Sequence, residues 1–171
     1  MISSLLYLMV VLSMAYGMKI YAVARTNVEG TSMESNLHDG DSLIVDKFTY
    51  HFRDPQRFEI IVFSYEDDVL FIKRIIGLPG EAVQIDELGN IYIDGEILTE
   101  GFGREVIKPD YIGIAGEPIL LGEDEYFVMG DNRNNSKDSR MEIVGNVQRD
   151  DILGRAVFRI WPFSGFGIVN Y

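Results

Sequence analysis

The first eighteen residues, MISSLLYLMVVLSMAYGM, contain no charged side chain. No other feature limits the fold so strongly, because so long an apolar run must be buried in protein or in lipid. As a helix rising ~1.5 Å per residue the run spans roughly 27 Å, close to the hydrocarbon thickness of a bilayer. Lys19 interrupts the run, but IYAVA (Ile20 to Ala24) extends it. A lysine near a helix end can snorkel to the interface, where Tyr16 and Tyr21 also fit. The expectation is a single transmembrane anchor over residues 1–24, followed by one domain over residues 25–171. A cleavable leader competes with it, since Ala22-Val23-Ala24 has the small-x-small form of a cleavage site, but a basic n-region is missing. A buried core helix is disfavoured because the run has no polar face. Lys19 and Arg25 lie on its C-terminal side, and a positive-inside count on those two residues would place the domain in the cytoplasm.

The rest of the chain is long enough for one domain with a core of its own. The formal charge of −12 over 171 residues argues against nucleic acid, whose phosphates such a surface repels. The absence of cysteine removes disulfide scaffolds, thiolate metal sites and cysteine nucleophiles. Only His38 and His51 are available to a histidine-based triad or metal site, and neither sits in a catalytic context. No metal and no cofactor are expected.

From residue 25 onward short β-type runs dominate. SLIVDKFTY (42–50), FEIIVFSY (58–65) and DVLFIKRIIG (68–77) are rich in Val, Ile, Phe and Tyr. AVQIDELGNIYIDGEIL (82–98) has the form of a meander, turning at Leu88-Gly89-Asn90 and at Asp94-Gly95. DEYFVMGD (124–131) and DILGRAVFRIWPF (151–163) add strands, while residues 99–124 read as a loop or flap. The fold class is therefore mainly β, as folded antiparallel sheets or a partly open barrel. The terminal FRIWPFSGFG (158–167) reads either as a strand covering the core or as a second membrane contact through Trp161, Phe163 and Phe166.

Chemistry has few places to reside. On a strand Phe71, Lys73 and Ile75 share one face, so Lys73 has apolar neighbours. An exposed edge lysine is the ordinary reading; a buried one loses its charge easily and becomes a usable general base. GDNRNNSKDSR (130–140) reads as a solvated turn or as a buried hydrogen-bond network at a strand end, with Asp138 and Arg140 able to pair. A serine nucleophile needs a base, and with no histidine placed for it lysine is the partner to consider. EGTSMESNL (29–37) offers Ser32, but spacing alone does not pair it with Lys73.

Three segments together resemble the type I signal peptidases of bacteria. GTSMESNL resembles that family's nucleophile box, FIKRIIGLPGE (71–81) its lysine box, and GDNRNNSKDSR its third box; RFEIIVF (57–63) is similar to the intervening box. Order and spacing agree over essentially the whole chain, the N-terminal anchor included. The resemblance implies a membrane-bound serine endopeptidase that removes signal peptides from preproteins after small residues at −1 and −3, with its partners the signal peptide and membrane lipid. Carried over by position, Ser32 is the nucleophile and Lys73 the general base. Ser136 would bond the lysine amine and orient it. Asp138, Arg140, Asp131 and Arg133 would brace the third box. The Ser32 amide would supply part of the oxyanion hole, with Gly30, Thr31, Met33 and Ile72 lining the site. Substrate would lie extended between residues 27–30 and 70–73. The family places this domain outside the cytoplasmic membrane, against the two-charge count.

The chain departs from the family's pattern at three points. Gly30 stands where some members carry a hydroxyl that completes the oxyanion hole. Ser35 replaces the usual proline, which predicts a less rigid turn. Phe58-Glu59 replaces Gly-Asp. The short interval between Lys73 and Gly130 resembles the compact Gram-positive-type enzymes. Two other readings compete. One is a self-cleaving peptidase of the repressor type, opposed by the anchor and the charge. The other is a decayed, membrane-tethered binding module, opposed by intact Ser32, Lys73 and Ser136.

Overall fold

The β-branched and aromatic runs pair into two antiparallel sheets. The computed structural model describes residues 2–21, 23–66 and 69–169, and part of the first helix is described in its backbone only. Helix α1 (Ile2–Tyr21) leads into β1 (Val23–Asn27), which pairs with β2 (Ser42–Asp46). Next come β3 (Ile60–Glu66) and β4 (Val69–Gly77), joined as a hairpin. A smaller sheet comes after them, built of β5 (Ala82–Ile85), β6 (Ile91–Ile93), β7 (Glu96–Ile97) and β8 (Ile119–Leu120) in the order β7-β6-β5-β8. The chain then returns through β9 (Glu125–Met129), β10 (Val147–Gln148), β11 (Ile152–Trp161) and β12 (Gly167–Ile168). The large sheet runs β1-β2-β11-β3-β4-β9-β10, with β12 folded back on β11.

Strand β3 shows why the runs are so continuously apolar. Ile60 and Val62 face one core cluster with Val45 and Ile72, while Ile61 and Phe63 face another with Ile75 and Val128. A strand buried on both faces has no polar alternation to display. The third cluster, around Val83, Ile91 and Phe127, fills the space between the two sheets.

Several boundaries differ from the sequence expectation, each for a local reason. The 42–50 run stops being a strand at Asp46, whose carboxylate accepts the amides of Phe48 and Thr49 and the Thr49 hydroxyl. That local capping starts a short 3-10 turn over Thr49–His51. Phe58 lies outside β3 at φ +72. Residues 99–124 are largely loop but contribute β8. The meander and its Asp94-Gly95 turn form as expected, both turn residues having positive φ, as a two-residue hairpin loop requires. At the C-terminus Ala156 and Val169, on either side of the 158–167 segment, pack in the core, whereas Trp161, Phe163 and Phe166 within it are exposed.

The membrane-spanning part of the expectation is not borne out by the structure. Among the described residues no helix is long and apolar enough to cross a membrane. Ala22 and the side chains of Tyr16, Lys19 and Tyr21, invoked for the anchor and for the cleavage motif, lie outside the described residues, as does Asp68 at the start of the predicted third strand.

Candidate active site

Ser32 sits in the turn after β1. Gly30 takes φ +86, a left-handed conformation in which a side chain is strained, and its amide donates to Asp39 Oδ1 at 2.7 Å. A hydroxyl-bearing residue would be strained in this conformation, and the Gly30 amide is already engaged by Asp39. The turn is held by its own hydrogen bonds, Glu34 N to Thr31 O (3.2 Å) and Leu37 N to Met33 O (2.8 Å), and by fully buried Met33 and Leu37. Arg104 pairs with Glu34 across it. Ser35 therefore does not leave the turn loose: packing and hydrogen bonds hold what a proline ring would have held.

Lys73 lies on β4, 5 % exposed, with its Nζ 2.8 Å from Ser32 Oγ and 3.0 Å from the Ile72 carbonyl oxygen. The Phe71 ring lies 5.1 Å from the same ammonium. Burial pulls the Lys73 amine down from 10.5 to about 8, against the opposing pull of the Asp138 and Asp131 carboxylates. A serine hydroxyl within hydrogen-bond reach of an amine that titrates near neutrality has the geometry of an activated nucleophile.

The third box wraps around this pair. The Asn132 amide donates to Ser32 O at 3.0 Å, and the Asn132 and Asn135 side chains donate to Thr31 O and Oγ1. Asp138 takes Arg140 through two bonds of 2.8 and 2.7 Å and also accepts the Gly130 amide. Asp131 pairs with Arg74 and not with Arg133, again through two bonds, and both side chains are fully buried. Burial pushes the Asp131 carboxyl up while Arg74 opposes that rise. Arg133 pairs with Glu100 and donates to the Gly130 carbonyl. The Ser136 hydroxyl, expected on the lysine amine, is buried without a hydrogen-bond partner among the described residues. The amine bonds the Ile72 carbonyl instead.

Gly130 is where the box closes on Ser32. A Cβ at this position would fall inside the contact radii of Ser136 Oγ and the Ser32 carbonyl oxygen, and 2.7 Å from Ser136 Cβ. Gly130→Ala should displace the Ser32 turn and lower peptidase activity by roughly 100-fold, the scale of an ångström-level misplacement. Stability should fall by only about 1–3 kcal/mol, as for overpacking elsewhere. Steady-state kinetics beside thermal melts separate the two effects.

Ser32 and Lys73 open into a cleft of about 610 Å³ lined by residues 25–29, Ser32, Met33, residues 69–73 and Lys137. Ile72 and Met33 are on its wall; Gly30 and Thr31 are not, and neither histidine reaches it. The walls are two open strand edges. Among the described residues β1 pairs only with β2, and β4 pairs with β9 only from Arg74 onward.

The resemblance read from the boxes is matched by comparison with known proteins. A family model described as signal peptidase, peptidase S26, matches residues 1–161. The chain belongs to this family. It is 38 % identical over 164 residues to a probable signal peptidase I-2 of Synechocystis, covering 92 % of this chain and 72 % of that protein. It is 39 % identical over 163 residues to a signal peptidase I of Leptolyngbya laminosa, covering 90 % and 76 %. With signal peptidase I T of Bacillus subtilis the identity is 36 % over 143 residues, 80 % of this chain and 73 % of that one.

Phe58 and Glu59, where the resemblance implies Gly-Asp, both have work in the structure. Phe58 keeps a positive φ, the conformation a glycine would supply, while its ring meets Phe102 at 5.1 Å and its carbonyl accepts Arg74 Nη1. Glu59 accepts from Arg53, Arg155, Tyr50 and the Gln56 amide. Burial works to raise its carboxyl, and those donors outweigh it and hold the group low. Sequence reading passed over Arg74, Asn132 and Lys137. Arg74 had left a signal: it is the lone charge on the strand face it shares with Ile72 and Ile76, so it needed a buried counter-charge.

Proposed function

We propose that this protein is a signal peptidase I: a serine endopeptidase that cuts signal peptides from preproteins after small residues at −1 and −3. The observation that carries the reading is the 2.8 Å approach of a buried lysine amine to Ser32 Oγ. The neutral Lys73 amine takes the Ser32 proton as Oγ attacks the scissile carbonyl carbon. Nζ then returns that proton to the departing amine, leaving an acyl-enzyme. Water, deprotonated by the same amine, releases the acyl group and restores Ser32. The Ser32 amide, which donates to no group among the described residues, faces the developing oxyanion. Ser136 Oγ, unpartnered beside the nucleophile turn, takes a further N–H of Lys73 once the amine is protonated. Asp138–Arg140 and Asp131–Arg74 keep the box rigid. Substrate adds as a strand between the open edges of β1 and β4.

The same reading anchors the domain by α1 as a single span, with the catalytic domain, residues 25–171, on the extracytoplasmic face. Residues 6–12 of α1 are apolar and all exposed, a continuous surface that water disfavours and lipid accepts. Trp161, Phe163 and Phe166 are suited to a second contact at the interface.

The test is cleavage of a preprotein carrying Ala at −1 and −3, with mapping of the cut, wild type beside Ser32→Ala. Wild type should cut once, after −1, and Ser32→Ala should lose at least roughly 10³-fold in rate. Retained cleavage by Ser32→Ala would remove the nucleophile assignment.

A further inference from the structure

The cleft carries more positive charge than an acidic chain would lead one to expect. The protein has a formal charge of −12, yet among the described residues the cleft wall presents Arg25, Lys73 and Lys137 against one acid, Glu29. Lys73 belongs to the chemistry, and Arg25 is hydrogen-bonded to Ser42 Oγ. Lys137 is different. It is exposed, its ammonium rests 4.3 Å from the Tyr65 ring centroid and 5.8 Å from that of Phe71, and it has no ion pair among the described residues. The two rings beneath it are stacked, 4.5 Å apart and 9° from parallel, so the cation is held on a flat aromatic shelf at the cleft wall.

Strand geometry says which part of a substrate meets that shelf. The open half of β4 presents Ile72 to the cluster that holds Val28 and Met33, while Phe71 packs with Phe63 and Tyr65 on the opposite face. A chain added to this edge alternates in the same way. If −1 and −3 enter the apolar side at Ile72, −2 emerges on the side of Phe71, Tyr65 and Lys137. We infer that Lys137 is a specificity-determining residue whose ammonium, laid on the Tyr65–Phe71 shelf, receives an acidic side chain at −2 of the substrate. This rests on the signal-peptide reading above and adds to it a preference at the position between the two small residues. Aspartate or glutamate at −2 gains an ion pair at the cleft wall, and lysine or arginine meets like charge.

The test uses the full-length protein in detergent and matched preproteins with Ala at −1 and −3 and Asp, Asn, Ala or Lys at −2. A parallel series carries the same residues at +1. For each enzyme kcat/KM is divided by its own value for Ala at −2, so any general loss cancels. Wild type should prefer Asp over Lys at −2 by roughly tenfold at low salt, shrinking towards unity near 0.5 M salt as screening sets in. Lys137→Glu should reverse the order, and Lys137→Met should flatten it. An unchanged Asp-to-Lys ratio in Lys137→Glu overturns the assignment, and so does a charge dependence that tracks +1 instead of −2. Wild type cutting every substrate equally sinks this inference alone. Wild type cutting none sinks the proposed function and this inference with it.

Discussion

Replacing Lys73 by methionine should give a protein that no longer cleaves preprotein and yet melts at a higher temperature than wild type. The loss of a general base costs roughly 10²–10⁴-fold in rate. The gain in stability comes from the position of the lysine. It is 5 % exposed and its amine is pulled by burial from 10.5 to about 8. The unfolded chain therefore holds a proton between those two values that the native protein has released. Stability must rise with pH across that window, and below about pH 8 the native state carries the full penalty of a buried ammonium, about 3 kcal/mol. Methionine removes that penalty at similar volume and forfeits the bonds to Ser32 Oγ and the Ile72 carbonyl, each about 0.5–1.5 kcal/mol. The balance favours the variant by up to about 2 kcal/mol at pH 7, or up to roughly 8 °C in Tm. Differential scanning fluorimetry at pH 7 and 10 reads it, with the difference between the two proteins shrinking at the higher pH. The wild-type rate supplies the second readout: kcat/KM should fall about tenfold per pH unit below about pH 8 as the base is protonated. A rate flat down to pH 6 would exclude Lys73 as the base, whatever the melts showed.

The elements that rest on local chemistry were legible in the sequence. Runs of β-branched and aromatic residues marked β3 and β4, the Asp94-Gly95 turn marked its hairpin, and the apolar company of Lys73 marked a lysine worth suspecting. The contact that joins Lys73 to Ser32 was not legible from the residues alone, because it spans 41 positions and depends on the sheet bringing the edges of β1 and β4 to one cleft. Only the order of the boxes supplied the pairing. The ion-pair partners of Asp131 and Arg133 were not legible for a related reason. Both stand in one box, but their partners come from elsewhere in the chain: the fold gives Asp131 to Arg74 and Arg133 to Glu100. The consequences of Ser35 and Gly30 were likewise invisible, since they depend on buried Leu37 and on Asp39, which reach the turn only once the chain has folded.

Asp131→Asn should be among the most damaging single substitutions outside the Ser-Lys pair. Arg74 and Asp131 are both completely buried and joined by two bonds, 2.8 and 2.7 Å long, and Arg74 also lies 3.9 Å from the Phe102 ring centroid. Asparagine keeps the shape and removes the charge, leaving a guanidinium in the core with no carboxylate facing it. Breaking a buried pair in this way costs roughly 3–5 kcal/mol, or about 6–20 °C in Tm for a domain of this size. Arg74→Met should cost a similar amount by stranding the carboxylate. The double variant Arg74→Met/Asp131→Leu should recover more than half of either loss, because its members no longer bury an unmatched charge. Cleavage should not recover with it. Arg74 directly succeeds Lys73, and Asp131 directly precedes Asn132, whose amide holds the Ser32 carbonyl. The pair therefore ties the strand bearing Lys73 to the segment that holds Ser32, a constraint that apolar packing restores in energy but not in direction. Urea titration of the four proteins, with peptidase rates measured on each, decides the matter. A double variant that regained both stability and activity would reduce the pair to a stability element, and a loss under about 1 kcal/mol in Asp131→Asn would show that the arginine finds its compensation elsewhere.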